Sequence, residues 1–177
     1  MLALVCAAPV IASYVAYYWF RPSGHVNYGE LLEARPVQDI AGSFPDGARF
    51  RLSDYRGRWL FLAVGSGACE EGCQRTLYAT RQARTIQGRE QDRVVRIWLQ
   101  ATGAPTPAPQ LLAQHPGLVV ALIDPDQWAA LRGFIDPPQS IYLIDPLGNV
   151  VLRYPPDPDI KRMAKDLERL LRASRIG

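Results

Sequence analysis

An uninterrupted apolar run from Trp59 to Val64 places the tightest constraint on the fold of this chain. A run of this length without polar interruption is typical of a central strand that is covered on both faces. From Asp39 onward, strand patterns and helix patterns alternate along the sequence, and such alternation is characteristic of an α/β sandwich around a central sheet. The sequence therefore predicts an α/β domain over residues 39–177.

The other elements of this domain follow from local patterns. Asp46-Gly47 predicts the turn of a small hairpin, and a polar helix is predicted to follow the glycine loop after Val64 and to end near Gln87. Apolar residues recur at i, i+3, i+4 and i+7 from Ile160 to Leu171, which predicts an amphipathic last helix. Further strands are predicted at residues 94–99, 118–123, 141–144 and 150–152, with short helices at 110–115 and 127–131.

Charge excludes one broad class of function. The chain has 177 residues, with Lys+Arg 20 against Asp+Glu 17, for a formal net charge of +3. The basic residues are scattered along the sequence and form no stripe or cluster. Because nucleic-acid binding needs a concentrated basic surface, no nucleic-acid partner is expected.

The first twenty residues predict a membrane anchor. No charged side chain occurs from Leu2 to Phe20, and a helix of that length spans roughly 28 Å at about 1.5 Å per residue, close to the thickness of a bilayer core. A cleaved signal peptide is the alternative, but bulky aromatic residues stand where cleavage would fall. We expect a transmembrane anchor at residues 1–20, with Cys6 as apolar filler, and a tether at residues 21–38.

The chemistry of the chain is expected at two cysteines. Cys69 and Cys73 lie four residues apart where a glycine-rich loop opens a helix, so their sulfur atoms fall on one face and within bridging distance. Backbone N–H groups at a helix start favour a thiolate, whereas Glu70 and Glu71 oppose it. The pair can exchange disulfides or bind Cu(I), whereas a zinc site would want four donors.

Buried apolar packing is the alternative for these cysteines, because cysteine is often a core residue. Their position argues for function, since ligands and chemistry in α/β folds gather at the carboxyl ends of strands. We therefore expect both sulfur atoms to be accessible. His25 is interpreted as solvated, and His115 as a residue capping a helix end.

Three segments resemble a known family over the whole soluble part of the chain. They are residues 52–59 (LSDYRGRW), 69–73 (CEEGC) and 142–148 (YLIDPLG). In this order the chain resembles the Sco/SenC group, whose members have a thioredoxin-like fold. In that group two cysteines of a C-x-x-x-C motif and a histidine bind copper in service of cytochrome c oxidase. The cysteines carry over to Cys69 and Cys73, whereas Pro137 stands at the position of the histidine.

The resemblance implies a factor of cytochrome c oxidase biogenesis that acts by thiol–disulfide exchange, by Cu(I) handling, or by both. It implies a single-pass protein of the bacterial inner membrane whose domain faces the periplasm, with an oxidase subunit or another assembly factor as partner. A non-catalytic scaffold in oxidase assembly remains an alternative. A peroxiredoxin-like peroxidase is a weaker one, because Ser66-x-x-Cys69 matches that group only in part and Leu62 replaces its proline. Pro138 lies close to the position at which such folds carry a cis-proline that faces the cysteines, but Gln139 aligns with that position better by count.

Overall fold

The computed structural model describes residues 2–19, 27–65, 68–132, 140–174 and 176 of the chain. Its strands are β1 (Glu30–Pro36), β2 (Ala41–Ser43), β3 (Arg49–Arg51), β4 (Trp59–Val64), β5 (Val94–Ala101), β6 (Leu118–Ile123), β7 (Ile141–Ile144) and β8 (Asn149–Tyr154). Its α-helices are α1 (Leu2–Trp19), α2 (Glu71–Ile86), α3 (Pro109–Gln114), α4 (Pro125–Arg132) and α5 (Ile160–Ala173). Short 3-10 helices follow β3 and α2, at Leu52–Tyr55 and Gly88–Arg93.

A mixed sheet forms the centre of the fold. Within the described residues it has eight strands in the order β1-β8-β7-β4-β5-β6-β2-β3. Strands β4, β5 and β6 run parallel, whereas β7 is antiparallel to β4 and β8 to β7. The side chains of β4 are buried on both faces up to Ala63, as its apolar run predicts. The predicted α/β class is therefore confirmed.

The two faces of the sheet carry separate apolar cores. On one face, residues of β4 and β5 such as Leu62 and Ile97 pack against the β2–β3 hairpin and α4. On the other face, Phe61 packs against α2 and α5, whose Met163 and Leu167 are fully buried. The amphipathic pattern of the last helix predicted this contact.

A third apolar cluster lies at the carboxyl end of β4. Its buried members are Ala63, Cys69, Leu77, Trp98 and Val120. Parallel pairing places Trp98 of β5 directly beside Ala63 of β4. The loop that carries the cysteines therefore starts beside this buried cluster.

The region predicted as a tether contains a strand. Strand β1 pairs with β8 at the edge of the sheet, with Glu30 opposite Arg153. Its side chains are mostly exposed and show no alternation, so periodicity could not predict it. The register across β8, β7 and β4 places Glu30 at the end of the sheet where Ala63 lies. The chain thus enters the sheet at the end that carries the cysteines.

Helix α1 contains Pro9 and carries exposed apolar side chains in its described part. In the part of the chain that the structure describes, no helix combines the length and the apolar character needed to cross a membrane. The transmembrane anchor predicted at residues 1–20 is therefore not confirmed.

Candidate functional site

Cys69 and Cys73 form a disulfide at the start of α2. Their Cα atoms are 5.0 Å apart, and Cys69 directly precedes the N-cap residue Glu70. Cys73 lies in the first turn of the helix, one turn after Cys69, as the four-residue spacing predicts. The pair is therefore close enough to open and close without rearranging the sheet below it.

The backbone of Cys69 has an uncommon conformation. Its φ is +35°, and no other residue except glycine has a positive φ among the described residues. Such a φ is unfavourable for a residue with a Cβ atom and is often found at functional sites. Gln74 stabilises this turn, because its Nε2 donates a hydrogen bond of 3.1 Å to the carbonyl oxygen of Cys69.

The two cysteines differ in burial. Cys69 is only 2% exposed and packs in the third apolar cluster, whereas Cys73 is half-buried. The expectation that both sulfur atoms are accessible is therefore wrong for Cys69. Cys69 belongs to the same buried cluster as Trp98.

A cavity of about 140 Å³ lies beside the disulfide. Its walls come from the end of β4, the first turns of α2 and one residue of β5: Ala63, Val64, Gly65, Glu70, Gly72, Cys73, Thr76, Leu77 and Trp98. Cys73 lines this cavity and Cys69 does not. Both the apolar residue Trp98 and the acidic residue Glu70 are among the residues that line the cavity.

Ion pairs fix the outer surface of α2 near the disulfide. Arg75 bonds the carboxylate of Glu71 at 2.6 Å, and its Nε lies 3.7 Å from Asp157. The hydroxyl of Thr76 donates a hydrogen bond of 3.0 Å to the carbonyl oxygen of Pro156. Helix α2 is thereby attached to the segment that leads into α5. Glu70, which lines the cavity, has no ion pair within the described residues.

His115 lies apart from this disulfide. It is the C-cap residue of α3, as predicted, and is 4% exposed. Burial, together with the charges of Arg81 and Arg96, lowers the pKa of His115 to about 4. Its imidazole is therefore neutral at physiological pH and faces cationic neighbours.

No group of three or more His, Cys, Asp or Glu side chains with the arrangement of a metal site occurs among the described residues. His25, Ser66, Pro137, Pro138 and Gln139 lie outside the described residues. The structure therefore brings together Cys69 and Cys73 alone of the predicted site residues.

Sequence reasoning missed three residues around the disulfide: Gly65, Thr76 and Trp98. Trp98 could have been found by aligning β5 in parallel with β4, since it then falls beside Ala63 and close to the cysteine loop. Thr76 could have been placed by helical spacing, because it lies three residues after Cys73. Gly65 gives no distinguishing signal, since glycine occurs in many loops that have no site.

A central sheet, helices on both faces, and a disulfide at the strand-to-helix turn define a thioredoxin-like domain. The chain belongs to the family described as transmembrane-like, thioredoxin-like, C-terminal domain, whose model matches residues 59–174. No curated protein sequence matches the chain.

Solved structures of Sco proteins are similar to this chain over most of its length. The apo Sco1 protein from Thermus thermophilus is 25% identical, with 84% of this chain and 99% of that chain covered and a TM-score of 0.69. Yeast Sco1 with copper bound is 18% identical, with coverage of 77% and 92% and a TM-score of 0.65. BsSco, described as an assembly protein of cytochrome c oxidase with a disulfide switch, is 16% identical, with coverage of 82% and 98% and a TM-score of 0.62. The resemblance to the Sco/SenC group that the sequence predicted is confirmed.

Proposed function

We propose that this protein carries out thiol–disulfide exchange through Cys69 and Cys73. The observation that carries the proposal is the disulfide at the start of α2, next to a cavity large enough to admit a thiol. A disulfide is opened by a thiolate that attacks one sulfur atom and forms a mixed disulfide, which a second thiol then resolves. The cavity supplies the access that such an attack needs.

The partner that we propose is a cytochrome c oxidase subunit or another assembly factor whose copper-site cysteines must be reduced. This part of the proposal is supported by the similarity to BsSco, an assembly protein with a disulfide switch. In the proposed reaction, the dithiol form of Cys69 and Cys73 would reduce a disulfide of the partner and would itself be oxidised to the disulfide.

The reduction potential of the Cys69–Cys73 pair tests the exchange function. The oxidised full-length chain is equilibrated in glutathione buffers of graded ratio, and free thiols are counted after alkylation. We expect a single two-electron transition that is absent from Cys69→Ser and Cys73→Ser variants. A pair that remains oxidised or reduced throughout the accessible range would contradict exchange.

An assay of oxidase assembly in cells distinguishes thiol–disulfide exchange from a non-catalytic scaffold role. Oxidase assembly is measured in cells with the double variant Cys69→Ser/Cys73→Ser and in cells that lack the whole chain. We expect both to lose assembled oxidase. Normal assembly with the double variant, and loss only on deletion, would instead support a non-catalytic scaffold.

Cu(I) handling is a second candidate, favoured by the similarity to yeast Sco1 with copper bound. After reduction, Cys69 and Cys73 offer two soft sulfur donors one helical turn apart, and thiolates suit Cu(I). The residues present therefore fit a two-sulfur site, although no third protein ligand lies in the described part of the chain. Copper would be cargo here, and the disulfide would have to open before it could bind.

Titration of the reduced protein with Cu(I) against a competing chelator tests this second function. We expect one bound Cu(I) in the dithiol form and none in the disulfide form. The Cys69→Ser variant should bind at least about 100-fold more weakly, because one of the two sulfur ligands is lost. Equal affinity of the variant and the natural chain would exclude these cysteines as the site.

We further propose that the protein is attached to the bacterial inner membrane through the first twenty residues, as a single-pass protein with its domain in the periplasm. Support comes from the uncharged segment at residues 2–20 and from the exposed apolar side chains of α1, including Val10, Ile11, Tyr14 and Tyr18. A disulfide also persists best in an oxidising compartment. Alkaline extraction of membranes should leave the full chain in the pellet and release a variant lacking residues 2–19. Release of both would contradict attachment.

A further inference from the structure

Burial separates the roles that the two sulfur atoms of the disulfide can take. Cys69 is 2% exposed and packs among Ala63, Leu77, Trp98 and Val120. Cys73 is half-buried and forms part of the cavity wall. An incoming thiolate must reach a sulfur atom from outside, so the cavity gives access to Cys73 and the apolar cluster covers Cys69.

Two glycines keep the approach to Cys73 open. A Cβ atom at Gly65 would lie 4.0 Å from Sγ of Cys73 and 3.1 Å from Nε1 of Trp98. A Cβ atom at Gly72 would meet nothing within 4 Å, although Gly72 lines the same cavity. At these two positions the cavity wall carries no side chain, whereas any other residue would add one.

We propose that Cys73 is the sulfur attacked by the partner thiolate and that Cys69 is the leaving thiolate. This assignment rests on the proposed exchange function and gives each cysteine its role within it. The cysteine that reacts with the partner is therefore the second of the two in the sequence.

The partner sulfur forms a bond to Sγ of Cys73, the bond between the two protein sulfurs breaks, and its electron pair stays on Sγ of Cys69. A second thiolate of the partner then attacks the partner sulfur in the mixed disulfide and releases Cys73 as a thiolate. The partner dithiol is thereby oxidised by two electrons to a disulfide, and the protein disulfide is reduced to two thiols. The same steps in reverse reduce a partner disulfide.

The start of α2 can stabilise the leaving thiolate. Cys69 lies one residue before the N-cap residue Glu70, whose side chain makes no capping hydrogen bond. The first-turn N–H groups of a helix have no intrahelical partner, and they favour a nearby thiolate. These N–H groups begin two residues after Cys69 in the chain and are the donors that would stabilise its thiolate.

Mapping of a mixed disulfide tests the assignment. The oxidised full-length chain, with Cys6→Ser to remove the remaining cysteine, is treated with 2-mercaptoethanol in mild detergent, quenched with acid and analysed by peptide mass spectrometry. We expect the mercaptoethanol adduct on Cys73 in about 10-fold excess over Cys69, because the attacked sulfur is the accessible one. An adduct mainly on Cys69 would overturn the assignment and leave exchange intact. A disulfide that no thiol opens would overturn exchange and the assignment together.

Substitutions at Gly72 provide a second test that does not change either cysteine. Gly72→Leu is expected to slow disulfide opening by about 5-fold or more, because it adds a bulky side chain at a residue that lines the cavity beside Cys73. Gly72→Ala is the matched control, and its rate should stay within about 2-fold while the helix gains stability from the loss of glycine. Equal rates for the leucine and alanine variants, with equal unfolding midpoints, would overturn attack through the cavity.

Discussion

The backbone N–H of Gly29 donates a hydrogen bond of 2.8 Å to Oδ2 of Asp166. The N–H of Tyr28 donates to the same oxygen at 2.8 Å, and the Asp166 side chain is 2% exposed. One buried carboxylate of α5 thus satisfies two backbone donors of the segment that leads into β1. Charge-assisted hydrogen bonds of this kind are stronger than neutral ones, so the start of the domain is held firmly on α5.

Asp166→Ala should destabilise the domain. The substitution leaves one buried and one partly buried N–H group without an acceptor, so we expect the free energy of unfolding to fall by about 1–3 kcal/mol. Urea denaturation followed by circular dichroism measures this change. Asp54→Ala is the control, because Asp54 is exposed and its loss should cost less than about 0.5 kcal/mol. Similar effects of the two substitutions would show that the link between Gly29 and Asp166 contributes little.

His115 should make stability depend on pH. Burial, with Arg81 and Arg96 adding to it, lowers the pKa of His115 from an ordinary value of 6.5 to about 4. Between these pH values the unfolded chain binds a proton that the folded chain excludes, so stability is present above pH 6.5 and is lost as pH falls toward 4. His115→Gln should lose less stability than the natural chain between pH 7 and pH 5 in urea titrations. Parallel pH profiles would contradict a neutral, buried His115.

The fluorescence of Trp98 should report the redox state of the cysteines. Nε1 of Trp98 and Sγ of Cys73 lie 3.1 Å and 4.0 Å from the position of a Cβ atom on Gly65, so the indole and the disulfide are neighbours. Because disulfides quench nearby indoles, reduction should raise the tryptophan emission. Trp98→Phe should remove this change, whereas Trp128→Phe should keep it, since Trp128 packs on the opposite face of the sheet. A redox response that survives Trp98→Phe would contradict this geometry.

Glu70 should select among thiols by charge. Glu70 lines the cavity beside Cys73, and its carboxylate has no ion pair among the described residues. Glu70→Gln should raise the rate of disulfide opening by anionic glutathione relative to cationic cysteamine by about 2- to 5-fold at low salt, and less at high salt. Glu33→Gln, on the edge strand β1, serves as the control and should leave the ratio unchanged. An unchanged ratio for Glu70→Gln would show that thiols reach Cys73 by another route.

Much of the fold could be predicted from local patterns. Strands β4, β6 and β7 have the predicted bounds, and α2 and α5 lie where the polar helix and the amphipathic pattern were expected. Each of these elements buries at least one face, so the spacing of its apolar residues follows the period of a strand or a helix. The hairpin turn at Asp46-Gly47 was also predicted, and β2 and β3 pair across it.

Elements whose position depends on distant partners were harder to predict. Strand β1 is mostly exposed and owes its place to pairing with β8, so it carries no apolar alternation. The spacing of Cys69 and Cys73 predicted a bridging distance, but it could not predict which sulfur is buried. That difference comes from the positive φ of Cys69 and from the position of Trp98 on a neighbouring strand, and both depend on tertiary structure.

The entry of β1 at the cysteine end of the sheet limits where a redox partner can stand. Residues 20–28 join α1 to the domain, and nine residues extend at most about 30 Å when fully stretched. If α1 is attached to the inner membrane as proposed, the start of β1, at the end of the sheet that carries the cysteines, lies within about 30 Å of the end of α1. Cys69 and Cys73 would then meet a freely diffusing periplasmic partner less often than a neighbouring integral membrane protein with cysteines on its periplasmic surface.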